Sequence, residues 1–246
     1  MEDRYNRYNR TDFIASDPIQ IPHRFSKKED IEISAFFAAT IAWGNRASII
    51  KSASSLMERM DHAPHAFVCN AADADMKKLE SFVHRTFNGT DVLYFVHALK
   101  QLYAIDGLEG AFSKGFKQGG AAHAITSFRE HFLSFEAPAR TGKHIASPAK
   151  GSSAKRLNMF LRWMVRSGDG GVDFGLWKSI RTADLMLPLD VHTGNVSRNL
   201  GLLQRKQDDW KAVEEVTEAL RLFDPNDPVK YDFALFGMGV FEGTGK

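Results

Sequence analysis

Two side chains in this sequence are suited to amine chemistry, and each stands where a helix is expected to begin. Lys155 opens the segment 155–166, whose apolar and basic residues recur at helical spacing. Asp190 precedes a short helical pattern that ends at Gly201. A lysine amine can attack an electrophilic carbon, and a carboxylate beside it can stabilise the positive charge that develops there. Because the segment around Lys155 is basic, the pair suits attack on the sugar of a nucleic acid whose phosphates that segment binds.

The segment 155–166 is amphipathic when its residues are placed on a helix. Its apolar residues share one side, which is expected to face the core: Leu157, Phe160, Leu161 and Met164. The polar residues of another side lie within an arc of about 80°: Lys155, Asn158, Arg162 and Arg166. Small residues precede the helix at Gly151, Ser152 and Ser153, so backbone N–H groups at its N-terminus are open to an anion. This side and this turn are predicted to contact phosphates.

The charge of the chain is nearly balanced overall but not along its length. The net charge is +2, from 32 basic and 30 acidic residues. Between Ala137 and Gly168 there are seven Lys and Arg residues and no Asp or Glu, which leaves 25 basic residues elsewhere. A local basic segment in a balanced protein indicates a focused anion site. Chance clustering along a solvated helix explains the same count, and this alternative stays open.

The candidate residues also have plainer interpretations. An Asp before a helix is most often only an N-cap, which accepts hydrogen bonds from backbone N–H groups of the first turn. A lone surface lysine most often serves solubility. His192 is suited to general acid catalysis, but packing or orienting a neighbour is the favoured interpretation. A functional Asp190 needs one carboxylate oxygen free toward a cleft, so the choice stays open at this point.

Helical periodicity dominates the chain, and the fold class is therefore predicted to be all-α. The predicted helices span residues 28–43, 47–60, 74–87, 90–104, 107–120, 121–135, 155–166, 191–200, 209–222 and 228–240. Residues 136–150 form the clearest linker. We expect one compact unit over residues 1–246, with two helical subdomains that flank a cleft. One subdomain comprises residues 1–30 and 186–246, and the other comprises residues 31–185 with a hairpin-like segment at 140–166.

Composition places the chain among ordinary globular proteins, with 43% hydrophobic and 25% charged residues. The longest near-apolar run, residues 33–43, is too short to span a bilayer, and the N-terminus lacks a signal-peptide pattern. A single cysteine, Cys69, rules out an intrachain disulfide and a cysteine-ligated metal centre, and the nine histidines show no metal-ligand spacing. We therefore expect a cytoplasmic protein with no membrane partner, no metal and no cofactor.

The residues around the candidate lysine and aspartate resemble the active-site half of the helix-hairpin-helix DNA glycosylases. The similarity rests on Gly151–Leu161, on Leu187–His192 and on Arg198. The resemblance implies that Lys155 forms a Schiff base and that Asp190 assists it. It also implies that the hairpin turn binds a DNA phosphate.

The same resemblance extends to two other regions. The helix pair within residues 31–60 is similar to the early helices that end in a DNA-probing residue, which here would be Trp43 or Asn45. The segment Tyr231–Gly237 resembles a helix that packs close to the site. A glycosylase-like arrangement of the whole chain is therefore expected.

A second resemblance covers nearly the whole chain. Its blocks are Asp17-Pro18, Pro22–Phe25, Ile31-Glu32, Ala42–Gly44, Lys155–Asn158, Arg162–Arg166, Pro188–His192 and Asp227–Asp232. On these blocks the chain is similar to an uncharacterised bacterial family, domain of unknown function 2400. That resemblance implies no particular activity.

The predicted function is DNA binding, with glycosylase and AP-lyase activity on a damaged or modified base through Lys155 and Asp190. Nucleic-acid contacts are predicted at Trp43, Asn45, Gly151, Ser152, Ser153, Arg156, Asn158, Arg162, His192 and Arg198. The expected partner is duplex DNA, although the sequence does not distinguish DNA from RNA. Two alternatives stay open: a non-catalytic nucleic-acid-binding module on the same scaffold, and a helical interaction protein whose basic helix docks an acidic partner.

Overall fold

The computed structural model describes residues 1–168 and 170–243, and these residues are mostly helical. The α-helices are α1 (Glu2–Tyr8), α2 (Lys28–Thr40), α3 (Arg46–Arg59), α4 (Pro64–Asn70), α5 (Asp73–Glu80), α6 (Gly89–Tyr103), α7 (Gly107–Leu133), α8 (Lys155–Val165), α9 (Val191–Asn199), α10 (Trp210–Arg221) and α11 (Tyr231–Val240). Short 3-10 helices lie between them at Thr11–Ser16, Pro18–Gln20, Pro22–Arg24, Thr141–His144, Pro148–Lys150, Thr182–Asp184 and Pro228–Lys230. The predicted all-α fold class is confirmed.

A β-hairpin replaces the C-terminal part of one predicted helix. Helix α5 ends at Glu80, and β1 (Val83–His84) pairs antiparallel with β2 (Phe87–Asn88). The prediction of a helix over residues 74–87 was therefore wrong beyond residue 80. The turn residue Arg85 has φ +54°, which a right-handed helix does not allow. Strands of two residues are too short to show an alternating pattern in the sequence, so burial of one residue from each strand decides the conformation.

Helix α7 consists of two helical segments that meet at a glycine pair. Gly119 and Gly120 both depart from helical torsions, and Gly120 has φ +69°. A left-handed φ at glycine carries no steric penalty, so the pair interrupts the helix sharply. The predicted separation of a helix over residues 107–120 from one over residues 121–135 is therefore confirmed.

Phenylalanine rings fill the core between α2, α6, α7 and α8. Phe36 is fully buried, and its ring centroid lies 5.5–5.7 Å from those of Phe95, Phe128, Phe132 and Phe160. Three of these four contacts are edge-to-face, an arrangement that aromatic pairs prefer. Since one of the rings belongs to α8, this core holds the helix that carries the candidate lysine.

Helices α1, α9 and α11 pack together, with α11 in contact with the other two. The approach of α1 is close: a Cβ added to Gly237 would come within 2.2 Å of the Tyr8 ring. Sequence reasoning assigned these three helices to one subdomain and α3–α8 to the other, and that division stays a prediction. Within residues 1–168 and 170–243, no helix is long and apolar enough to cross a membrane.

Candidate active site

A cavity of about 930 Å³ lies between the turn after α2 and helices α8, α9 and α11. Its wall contains seven of the residues singled out in the sequence: Trp43, Asn45, Lys155, Arg156, Arg162, Asp190 and His192. Several aromatic residues complete the wall: Phe13, Trp163, Phe233 and Phe236. A volume of this size falls within the range of small-molecule binding sites.

Lys155 and Asp190 meet in this cavity. Lys155 Nζ lies 3.5 Å from Asp190 Oδ2, and the two side chains are 28% and 24% exposed. The other carboxylate oxygen, Oδ1, accepts hydrogen bonds of 3.0 Å from the backbone N–H groups of His192 and Thr193. Asp190 is therefore the N-cap of α9, and its second oxygen remains directed to the lysine. The two interpretations of this aspartate, cap and functional carboxylate, are compatible.

The turn before α8 lies outside the cavity wall. Gly151 has φ +81° and Ala154 has φ +49°, so the chain twice enters the left-handed region before the helix begins. The backbone N–H of Trp210 donates to the Gly151 carbonyl at 3.2 Å, which ties the turn to α10. Gly151, Ser152 and Ser153 therefore present Lys155 but do not line the cavity, and the phosphate contact predicted for them stays a prediction. The element directly before this turn is a 3-10 helix, Pro148–Lys150, and not an α-helix.

Beyond Lys155, the basic side of α8 is internal, and the expectation of a cationic surface there was wrong. Arg162 and Arg166 are 4% and 1% exposed. Both pair with Asp173, while Arg162 also pairs with Asp232 and Arg166 also pairs with Asp227. Removing a guanidinium from water is costly, and paired carboxylates offset that cost. Arg162 and Arg166 thus belong to an internal ion-pair network, in which Asp173 follows α8 closely and Asp227 and Asp232 come from a distant part of the chain.

Asn158 also belongs to the interior. It is 1% exposed, and its Nδ2 donates to the Ser153 carbonyl at 3.1 Å. The predicted nucleic-acid contact of Asn158 is therefore corrected to a structural bond that holds the turn before α8. Helical spacing alone placed Asn158 beside Lys155 but did not show that a neighbouring element covers it.

Trp43 and Arg156 form one side of the cavity. The Arg156 guanidinium lies over the Trp43 ring, 4.8 Å from its centroid. It also donates to the carbonyl oxygens of Thr40 and His144, the latter at 3.3 Å. Burial lowers the pKa of Arg156 to about 10. Within the described part of the chain, no carboxylate pairs with this arginine, in contrast to the arginines deeper in α8.

The remaining predicted contacts divide between the cavity wall and its surroundings. Asn45 lies in the wall and caps α3, where its Oδ1 accepts the Ser48 N–H at 3.2 Å. His192 lies in the wall and is exposed. Arg198 does not line the cavity, and its guanidinium donates to Asp208 Oδ1 at 2.6 Å. The structure therefore does not bring Arg198 to the candidate site.

Two buried carboxylates in the wall were missed as site residues. Asp17 and Asp232 are 9% and 7% exposed. Burial raises the pKa of Asp17, and it raises the pKa of Asp232 to about 6, although nearby Arg162 and Lys155 oppose both shifts. The blocks Asp17-Pro18 and Asp227–Asp232 were signals in the sequence, but neither block showed a common cavity. Among the described residues, no group of three or more His, Cys, Asp or Glu side chains is arranged to hold a metal ion.

Most of the chain matches one known protein family. The family described as protein of unknown function (DUF2400) matches residues 17–241. The chain belongs to this family. No curated protein and no solved structure gives a match. Because the description of the family states no function, the geometry of the cavity carries the functional argument for this DUF2400 protein.

Asp190→Asn should lower the stability of this DUF2400 protein less than Asp190→Ala does. Its Oδ1 accepts two backbone N–H groups, and its own N–H donates to Thr193 Oγ1 at 2.9 Å. Asp190→Ala removes the acceptor and should lower the free energy of unfolding by about 1 kcal/mol, whereas Asp190→Asn keeps an acceptor oxygen. Urea unfolding of both variants measures the difference. Equal losses would show that the cap contributes little.

Asp232 should give this DUF2400 protein a pH-dependent stability. Its pKa lies at about 6 in the folded protein, against an ordinary value of 3.8. Between these values the folded chain retains a proton that the unfolded chain has lost, so the contribution of Asp232 to stability falls as the pH rises and is constant above about 6. Asp232→Asn cannot ionise. Urea titrations measure the free energy of unfolding of both proteins as the pH rises from about 4 to about 6. The difference between Asp232→Asn and the unsubstituted protein should shift in favour of the variant over this range. If the two free energies change with pH in parallel, the raised pKa of Asp232 is contradicted.

Proposed function

We propose that this DUF2400 protein binds duplex DNA and acts on a damaged or modified base as a DNA glycosylase and AP lyase. The observation that carries the proposal is the position of Lys155 Nζ in the wall of a cavity, 3.5 Å from Asp190 Oδ2, the carboxylate oxygen that does not accept the N-cap hydrogen bonds. The resemblance of the residues around this pair to the helix-hairpin-helix DNA glycosylases supports the same chemistry.

The cavity wall suits a nucleotide that has been turned out of a duplex. Enzymes that act on a base in DNA extrude the nucleotide and stack the base against aromatic or apolar side chains. Trp43, Phe13 and Phe236 are partly exposed rings in the wall. Trp163, which is fully buried, and Phe233 lie behind these rings in the same wall.

The first step of the proposed reaction is a proton transfer. An ammonium has no lone pair, so Lys155 must lose a proton before it attacks. Asp190 Oδ2, at 3.5 Å, is the acceptor within reach. The Nζ lone pair then forms a bond to C1′ of the deoxyribose, the C1′–N bond breaks, and the base leaves with that electron pair and takes up the proton that Asp190 had accepted. This transfer restores the Asp190 carboxylate, which stabilises the positive charge that remains on the sugar–lysine adduct.

The second stage of the proposed reaction is strand cleavage. One proton passes from Nζ to O4′ as the C1′–O4′ bond breaks, and this opening of the sugar ring leaves an iminium that joins Lys155 Nζ to C1′. The Asp190 carboxylate then takes a proton from C2′, the C3′–O bond breaks, and the 3′ phosphate leaves with that electron pair. Water hydrolyses the iminium to release the lysine. Each step uses the amine and the carboxylate already present in the cavity wall, together with water.

Borohydride trapping tests the proposal, because the reagent reduces an iminium to a stable amine. The full-length protein would be incubated with duplexes that carry an abasic site or one modified base, and the adduct would be located by mass spectrometry. We expect a covalent adduct on Lys155. Absence of an adduct across the abasic duplex and a broad lesion panel would reject the Schiff-base mechanism. Salt-sensitive duplex binding without an adduct would favour the non-catalytic binding module.

A further inference from the structure

Three arginines surround the turn Trp43–Asn45 at one side of the cavity. Arg156 stacks on Trp43, and Arg46 directly follows Asn45 and also lines the cavity. Arg85, from the β-hairpin, lies against Gly44: a Cβ added to Gly44 would come within 2.5 Å of its Nη1. Gly44 has φ +101°, a backbone conformation that favours glycine here. Each residue of the turn is therefore accompanied by one arginine.

These arginines differ from the paired arginines of the interior. Within residues 1–168 and 170–243, none of the three forms an ion pair with a carboxylate, whereas Arg162 and Arg166 each form two. Burial raises the pKa of the nearby Asp17 carboxyl, and the charge of Arg46 opposes that shift. Asp17 is buried and forms no ion pair with Arg46. A cation held beside a cavity without a compensating carboxylate is an arrangement that attracts an anion.

Arg156 retains donors for such an anion. A guanidinium has five N–H donors, and the bonds from Arg156 to the carbonyls of Thr40 and His144 use two of them. Those bonds and the Trp43 ring fix the plane of the group, so little side-chain entropy is lost when a ligand binds. Planar guanidinium groups bind phosphate oxygens in a bidentate manner.

We propose that Arg46, Arg85 and Arg156 form a phosphate-binding site on the rim of the cavity, separate from the turn before α8. The ligand is a backbone phosphate next to the nucleotide whose sugar reaches Lys155, so the identity of the ligand rests on the proposed function. The site holds the strand while Trp43 lies beside the extruded nucleotide. Phosphate binding at this rim is independent of whether Lys155 forms a covalent bond.

The test measures binding to a duplex with one non-cleavable abasic analogue, by fluorescence anisotropy. Two further duplexes carry a neutral methylphosphonate in place of the phosphate on the 5′ or the 3′ side of that analogue. The unsubstituted protein should lose about tenfold or more in affinity with one of them, as for the loss of charge-assisted hydrogen bonds. Arg156→Gln should bind the duplex with all its phosphates more weakly by a similar factor, and the methylphosphonate should not weaken the binding of this variant further. The slope of its salt dependence should flatten by about 0.9 for each phosphate that the variant no longer binds.

Controls separate this site from folding and from catalysis. Arg46→Gln and Arg85→Gln should behave like Arg156→Gln in direction, and Arg156→Lys should restore part of the discrimination. Arg59→Gln is the matched control, because Arg59 lies on α3, donates to Ser81 and lines no part of the cavity. If the methylphosphonate weakens the unsubstituted protein and Arg156→Gln equally, or weakens neither, the inference is overturned. If the unsubstituted protein still binds the methylphosphonate duplex more weakly but forms no borohydride adduct, only the proposed catalysis is overturned.

Discussion

Replacing Lys155 with alanine should abolish the borohydride-stable adduct and reduce single-turnover strand cleavage on the order of 10³-fold or more. Lys155 is the only lysine among the described residues of the cavity wall, so no neighbouring amine can replace it. In the proposed mechanism the Nζ atom provides the electron pair that bonds to C1′, and alanine has no group that can do so. The measurement is a trapping time course on an abasic duplex under single-turnover conditions.

Lys150→Ala is the matched control for this experiment. Lys150 is exposed, lies five residues before Lys155 in the same basic segment, and is not part of the cavity wall. Its removal should leave the adduct yield nearly unchanged while it lowers the positive charge of the segment by the same amount. An adduct that persists in Lys155→Ala would assign the amine chemistry to another group and refute the role of this lysine. Equal losses in both variants would indicate that only charge matters.

Replacing Asp173 with asparagine should cause the largest loss of stability that we expect from a single substitution near the site. Its side chain is fully buried between Arg162 and Arg166, with Oδ1 3.3 Å from Arg162 Nε and Oδ2 3.0 Å from Arg166 Nη1. Asp173→Asn leaves two buried guanidinium groups with one carboxylate fewer. Breaking a buried ion pair in this way costs roughly 3–5 kcal/mol. Urea unfolding, with the slope checked for two-state behaviour, measures the change.

Asp184→Asn is the control for the stability experiment, because Asp184 pairs with Arg181 on the surface. Solvent screens that pair, so its loss should leave the free energy of unfolding nearly unchanged. If Asp173→Asn were as stable as Asp184→Asn, the internal network would contribute no more than a surface pair. In that case water must reach Arg162 and Arg166, and their assignment to a buried ion-pair network would be wrong.

The internal network also connects the stability of the protein to its candidate site. Arg162 lies in the cavity wall, and its two carboxylate partners, Asp173 and Asp232, hold it in place. The pKa of Asp232 at about 6 means that this support changes its charge near neutral pH. Catalysis and stability should therefore respond to pH together, and Asp232→Asn should remove that part of the response.

Several helices were predictable because their signals are local. Residues 28–40, 46–59 and 155–165 lie in helices close to the predicted bounds, since apolar residues recur at helical spacing and caps or turns follow. Asp190 was predictable as an N-cap for the same reason. The short hairpin was missed because its strands contain two residues each, which is below the length at which alternation becomes visible.

The sequence by itself determined the all-α fold class, the start of α8 at Lys155 and the capping role of Asp190, because each depends on residues within one or two helical turns. Only the tertiary structure decided that Arg162 and Arg166 are internal, since Asp173, Asp227 and Asp232 come from other segments. It also decided that Lys155 and Asp190, separated by the long segment after α8, lie 3.5 Å apart. Charge compensation and cavity formation depend on which elements pack together, and helical periodicity carries no information about that choice.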